Sequence, residues 1–270
     1  MKKNKAIASP YIVWMIAFTV IPLLFVVYYA FTGKDEGFTL NNITGLGRYA
    51  SVFFFSLLLA VIATVICLVV AYPVSFFLSR MRAGRQGVML MLVMLPMWIN
   101  FLLRTYAWLT LLERNGLINR FLGLFGIGPF EMANTPGAVI LGMVYNYLPY
   151  MILPLYTAML KIHNSIIEAA EDLGAGRLHT VLRVILPLSR PGINTGLTMV
   201  FVPCISTFAI SNLMSGGNVW LIGNLVESQF LGSSPNFHVG SALSVVLMVV
   251  VLLCMSFTSG FDSEDIEGVV

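Results

Sequence analysis

Six long apolar stretches organise the chain, near 11–31, 53–79, 88–112, 137–160, 192–214 and 240–259. Inside each, apolar residues run on without the strict alternation of a half-buried strand. At about 1.5 Å rise per residue, each is long enough to cross a hydrocarbon layer about 30 Å thick as a helix. Polar residues gather in the five intervals between the stretches and at the two ends. The pattern predicts an all-α, polytopic membrane protein with six transmembrane helices in one domain over 1–270. There is no internal repeat and no low-complexity segment. Lys2, Lys3 and Lys5 precede the first run, as in a signal peptide. That run is longer than the usual ~7–15-residue core of such a peptide, and no A-x-A site follows. An uncleaved first helix is expected.

Composition strengthens this picture. Of 270 residues, 58% are hydrophobic and 10% charged, and the mean hydropathy is +0.89. A soluble domain carries about 25% charged residues, so this chain cannot cover itself with polar surface. In lipid only helices and closed barrels satisfy the backbone, and unbroken apolar runs select helices. Cys67, Cys204 and Cys254 all fall inside the runs, without metal or disulfide spacing. His163, His179 and His238 show no metal-ligand spacing either, and no G-x-x-x-x-G-K-[ST] segment is present to cradle nucleotide phosphates. No enzymatic chemistry, bound cofactor, metal or nucleic-acid partner is expected; membrane lipid is. Energy for any transport has to come from another chain.

Charge distribution predicts orientation. The N-terminus and the intervals 80–87 and 161–191 hold ten basic residues, against four in the other three intervals. Positive charge stays on the cytoplasmic side, which places both termini and 161–191 in the cytoplasm. The acidic end, with Asp262, Glu264, Asp265 and Glu267, does not fit the rule, although acids weigh little in it. Glu113, Glu131 and Glu227 then lie at or beyond the outer ends of the spans, where a cationic solute could be guided inward.

Some positions inside the runs call for explanation. Pro22, Pro73, Pro96, Pro149, Pro154 and Pro203 each remove a backbone bond and favour a kink. They are either ordinary membrane-helix prolines or the shapers of a path. Gly192 and Gly196 would let another helix approach closely. In the third run Pro96, Asn100, Arg104 and Trp108 recur every four residues, which predicts one stripe on one helix. Arg104 is the one charge clearly inside an apolar run. Two readings stay open: it faces a pathway, paired with an acid or with backbone carbonyls, or it snorkels to the outer interface. Tyr145, Asn146, Ser211 and Asn212 are further candidate path linings, against the ordinary reading of polar contacts between helices.

The longest polar interruption of the second half is Ser165 to Pro191. It contains Glu168-Ala169-Ala170, Gly174 and Val184-Ile185-Leu186-Pro187. The spacing resembles the EAA loop of ABC importer permeases, with Val184 where that family usually has Ile. Ser165 and Glu168 also have the spacing of a capping box, which predicts Ser165 at an N-cap. The resemblance implies that 161–191 is a cytoplasmic coupling loop. On it Glu168, Ala169, Ala170, Gly174, Arg177, Leu186 and Pro187 would meet an ATP-hydrolysing subunit. Gly174 would supply a sharp turn, and ATP would be used only by the partner.

Four stretches, 95–108, 141–156, 168–193 and 213–231, are similar to the B-type permease subunit of spermidine/putrescine importers. That likeness implies the type I ABC importer permease fold in a bacterial cytoplasmic membrane. It implies as partners a second homologous permease, two ATP-binding subunits and an external polyamine-binding protein. Related importers for other small solutes share much of these stretches, so a different solute is the alternative.

Overall fold

A computed structural model describes residues 10–33 and 37–263, with side chains described to Ser256 except that of Ala83. The N-terminal lysines, Lys34, Asp35, Glu36 and the acidic end lie outside the described side chains. The described residues are helical apart from turns and one isolated bridge between Thr32 and Phe38.

Helix α1 covers Pro10–Ala30. A short helical entry, Asn41–Thr44 and Gly45–Tyr49, leads into α2, Ala50–Ser79. Then come α3 (Ala83–Trp98), α4 (Phe101–Leu112), α5 (Leu117–Gly123) and α6 (Pro136–Leu160). The polar loop carries α7, Asn164–Asp172, and α8, which starts as Arg177–Thr180 and continues through Val181–Ile185 and Leu186–Leu188. Last are α9 (Arg190–Ser206), α10 (Ala209–Ser215), α11 (Ile222–Leu231) and α12 (Phe237–Ser263). Among the described residues, four helices are long and apolar enough to cross a membrane, and two bent pairs make six if each pair is one span.

Two of the six expected spans are bent pairs. The third run turns by 88° between α3 and α4, and the fifth by 62° between α9 and α10. Asn100 explains the first break. Its backbone is extended and its side chain accepts from the N–H groups of Leu102 (2.9 Å) and Leu103 (3.4 Å), which makes it the N-cap of a new helix. The predicted stripe from Pro96 to Trp108 therefore does not exist, because Pro96 belongs to the preceding arm. Pro96 and Pro203 each lie within one turn of a break. Pro73, Pro149 and Pro154 sit inside continuous helices. Two π-helical stretches, Ile16–Val20 and Val181–Ile185, each end two residues before a proline. The widened turn accommodates the carbonyl that the proline ring would otherwise strike.

The centre of the bundle is α2, α6 and α9. Along α2 the buried Ala60, Ala63, Thr64, Cys67, Ala71 and Ser75 recur at three- and four-residue steps and form a face of small side chains. Ser75 Oγ donates across to Ile152 O of α6 at 3.1 Å. The expected close approach of Gly192 and Gly196 is present. A Cβ at Gly192 would stand 2.5 Å from Ala158 Cβ and 2.8 Å from Pro154 O, and one at Gly196 2.6 Å from Met151 Sδ. By contrast, α1 packs mainly on α12 and leaves nearly all its apolar side chains uncovered, as a lipid-facing helix does.

Candidate functional site

Two regions stand out: the polar elbow formed by α7 and α8, and the polar groups around the two helix breaks.

The elbow is built by a backbone device. Gly174 has φ +84°, a conformation that costs an L side chain about 1–2 kcal/mol. Its N–H donates to Glu171 O at 2.9 Å, and the N–H of Ala175 reaches back to Ala170 O at 3.0 Å. These two bonds are the Schellman closure of α7, and the second one ends on the last alanine of the EAA triplet. A Cβ on Gly174 would meet nothing within 4 Å. The glycine thus serves conformation here, not lack of space within this chain.

The turn opens a groove of ≈ 390 Å³ lined by Ala170, Leu173, Gly174, Ala175, Gly176, His179, Arg183 and Val184. Leu173 is 89% exposed and Leu178 73%. Both belong to a loop without the uniform apolarity of a lipid-facing helix, so a partner is the natural cover for them. Glu168, Ala169, Arg177 and Leu186 are exposed, and Ala170 and Pro187 half-buried. The predicted capping box is not formed. α7 begins at Asn164 with His163 at the N-cap position, so Ser165 is already inside the helix. The extra residue is held by Arg80, whose Nη1 donates to Ile162 O (2.9 Å) and Asn164 Oδ1 (2.6 Å). Arg80 ties the end of α2 to the start of the elbow; among the described residues its Nε and Nη2 have no hydrogen-bond partner, its guanidinium lies over the Phe76 ring at 5.6 Å, and burial lowers its pKa.

The breaks gather most of the predicted path residues into two groups. At the α3–α4 break Arg104 Nη1 donates to Pro96 O at 2.6 Å. It answers a carbonyl at the negative end of α3. The guanidinium carbon lies 5.8 Å from the Tyr145 ring, and Trp108 meets that ring edge-on at 5.3 Å. Arg104, Trp108 and Tyr145 form one cluster. Asn146 does not join it; it is buried, and its Nδ2 bonds Gly142 O of its own helix at 2.8 Å.

Ser211 and Asn212 belong to the second group, whose hub, Asn224, sequence reasoning missed. Its Oδ1 accepts from Ser211 Oγ (2.5 Å) and Leu221 N (3.0 Å). Its Nδ2 donates to Phe208 O (3.1 Å) and Asn212 Oδ1 (2.6 Å). One 5%-exposed side chain, fully satisfied, ties the start of α11 to Phe208 in the α9–α10 break and to α10. Beside it, a Cβ on Gly223 would stand 2.5 Å from Ser206 O and 2.6 Å from Thr207 O. Only glycine lets α11 press on the carbonyls freed by the break. The signal in the sequence was the Gly223-Asn224 pair opening a helix, legible only with the break known.

The family described as binding-protein-dependent transport system inner membrane component matches residues 71–260. The chain belongs to this family. The permease is 41% identical over 250 residues to the spermidine/putrescine transport system permease protein PotB of Haemophilus influenzae, covering 89% of this chain and 87% of that one. It is 37% identical over 252 residues to PotB of Escherichia coli, with 90% and 91% covered. Among solved structures it superposes on a chain of a bacterial ABC transporter that imports the acidic polysaccharide alginate, with TM-score 0.79, 16% identity and coverage of 97% and 95%. At that identity the likeness shows the fold alone, and the fold is that of an ABC importer permease.

Proposed function

We propose that the permease passes polyamines, spermidine and putrescine, across a bacterial cytoplasmic membrane as one membrane subunit of an ABC importer. The observation that carries the substrate class is 37–41% identity over about nine-tenths of the chain to two polyamine permeases. The full assembly adds a second homologous permease, two ATP-binding subunits and an external polyamine-binding protein. A second solved alginate transporter is in complex with a periplasmic protein carrying an alginate pentasaccharide, which supports delivery by such a protein.

The elbow supports the coupling role. A rigid left-handed turn, an open groove and uncovered leucines give an ATPase a surface to grip. Glu168, Ala169, Ala170, Gly174, Arg177, Leu186 and Pro187 act there. Closure of the two ATPases draws the elbows together, and the bundle transmits that rigid-body motion to the opposite face. Both termini and the elbow lie in the cytoplasm, in line with the basic residues of 80–87 and 161–191. In this reading the path is lined by Asn100 and the Arg104–Trp108–Tyr145 cluster, by Ser211 and Asn212, and by Asn146 on α6; discontinuous helices, as at the two breaks, build transporter sites.

The test is uptake by the complex reconstituted from this permease with an ATPase, a second permease and a binding protein of the same importer. Labelled spermidine and putrescine are expected to accumulate in an ATP-dependent way. Accumulation of another small solute with no competition by polyamines would overturn the substrate.

A further inference from the structure

A cleft of ≈ 270 Å³ beside the α9–α10 break is lined by Asn212, Trp220, Asn224, Glu227, Ser228, Leu231 and Gly232. Its one charged group is Glu227. The whole interval 215–239 contains no Lys or Arg, and no basic side chain lines the cleft. The carboxylate is held by a relay of amides. Glu227 Oε2 accepts from Asn212 Nδ2 at 3.1 Å, and Asn212 Oδ1 accepts from Asn224 Nδ2 at 2.6 Å. Asn224 is in turn anchored to Phe208 O and to Leu221 N. Among the described residues the second oxygen, Oε1, has no hydrogen-bond donor. The carboxylate is therefore oriented before any ligand arrives, and one of its oxygens is open.

The other walls suit a particular chemistry. Trp220, 52% exposed, offers an indole to the same cleft, and Leu231 offers an apolar side chain. A fixed carboxylate takes an ammonium group, an indole face attracts the same cation, and apolar walls cover methylenes. We infer that Glu227, with Trp220, forms a binding subsite for the terminal ammonium group of an alkyl polyamine on the face of the permease opposite the elbow. This inference rests on the polyamine reading and adds to it the residues that recognise the charge. The carboxylate is held through Asn212 and Asn224 beside the break in the fifth span.

The experiment uses the complete importer in liposomes. Glu227→Gln removes the charge and keeps an oxygen for Asn212 Nδ2, so a merely structural role predicts no change. Spermidine uptake is expected to fall at least tenfold, while ATP hydrolysis stimulated by the loaded binding protein stays within twofold of the unsubstituted complex. Glu227→Asp is expected to recover part of the uptake. Uptake by Glu227→Gln within twofold of the unsubstituted complex overturns the subsite. If Glu227→Gln fails to assemble, Trp220→Ala decides: its uptake falls at least threefold with assembly intact, or the proposal is wrong. An unsubstituted complex that hydrolyses ATP and imports no polyamine refutes the substrate reading, and the subsite with it. That result is distinguishable from failure of the subsite alone.

Discussion

Gly174 offers the sharpest test of how the elbow is made. Its φ of +84° places an alanine in a conformation costing about 1–2 kcal/mol. A Cβ there would touch nothing within 4 Å, so no steric term inside the permease adds to that figure. A cost of that size changes the ratio of formed to unformed elbow by a factor of about 5–30. Gly174→Ala should therefore weaken the apparent affinity of the ATPase subunits for the permease in nanodiscs measurably, by up to about 30-fold. Gly174→Asn should lose less, because asparagine tolerates the left-handed region. Gly174→Trp adds bulk in open space, so any loss beyond that of alanine measures a collision with the docked partner. The pair separates conformation from contact. Gly174→Ala binding and coupling the ATPase like the unsubstituted permease would refute the conformational argument. Gly174→Trp matching Gly174→Ala would refute close docking at the turn.

Three further outcomes are expected. Gly192→Leu forces a side chain against Ala158 Cβ and Pro154 O, so the α6–α9 contact should loosen by about 1–3 kcal/mol, or more if the backbone has to move; the thermal melt of the purified permease reads it. Arg80→Met removes the bonds to Ile162 O and Asn164 Oδ1, each worth about 1.5–3 kcal/mol to a charged donor. The amides at the start of α7 should then exchange hydrogen faster, with the α6 core amides unchanged. Arg104→Leu strips the Pro96 carbonyl of its charged donor, whereas Arg104→Lys keeps a cation at the end of α3. The leucine variant should therefore melt at the lower temperature of the two, and equal melting would contradict the pairing.

Much of this was legible along the chain because lipid simplifies the rules. Apolar length alone marks a span, since a backbone in hydrocarbon has few ways to satisfy its hydrogen bonds. The elbow was legible for a different reason: Glu168-Ala169-Ala170, Gly174 and Leu186-Pro187 have the spacing of the EAA loop they resemble, and the glycine in that spacing is the residue a left-handed turn selects. Asn100 misled for a related reason. A four-residue spacing from Pro96 to Trp108 reads as one helical stripe, yet an asparagine amide can also cap a helix, and local pattern does not choose between the two. Ser165 misled in the same way, since Arg80, 85 positions earlier in the chain, helps set where α7 begins.

Residue order alone determined an all-α membrane protein, the six apolar runs, the elbow and the glycines that let α9 lie against α6. Each follows from a property a residue carries with it: transfer energy, charge, or freedom of φ. Tertiary structure decided that two runs are broken, that Arg104 answers the Pro96 carbonyl, and that Asn224 caps the Phe208 carbonyl at the second break. It also decided that Glu227 and Trp220 share a cleft. These depend on which distant backbone groups are left unsatisfied and which side chain arrives to meet them, and that is settled only when the helices pack.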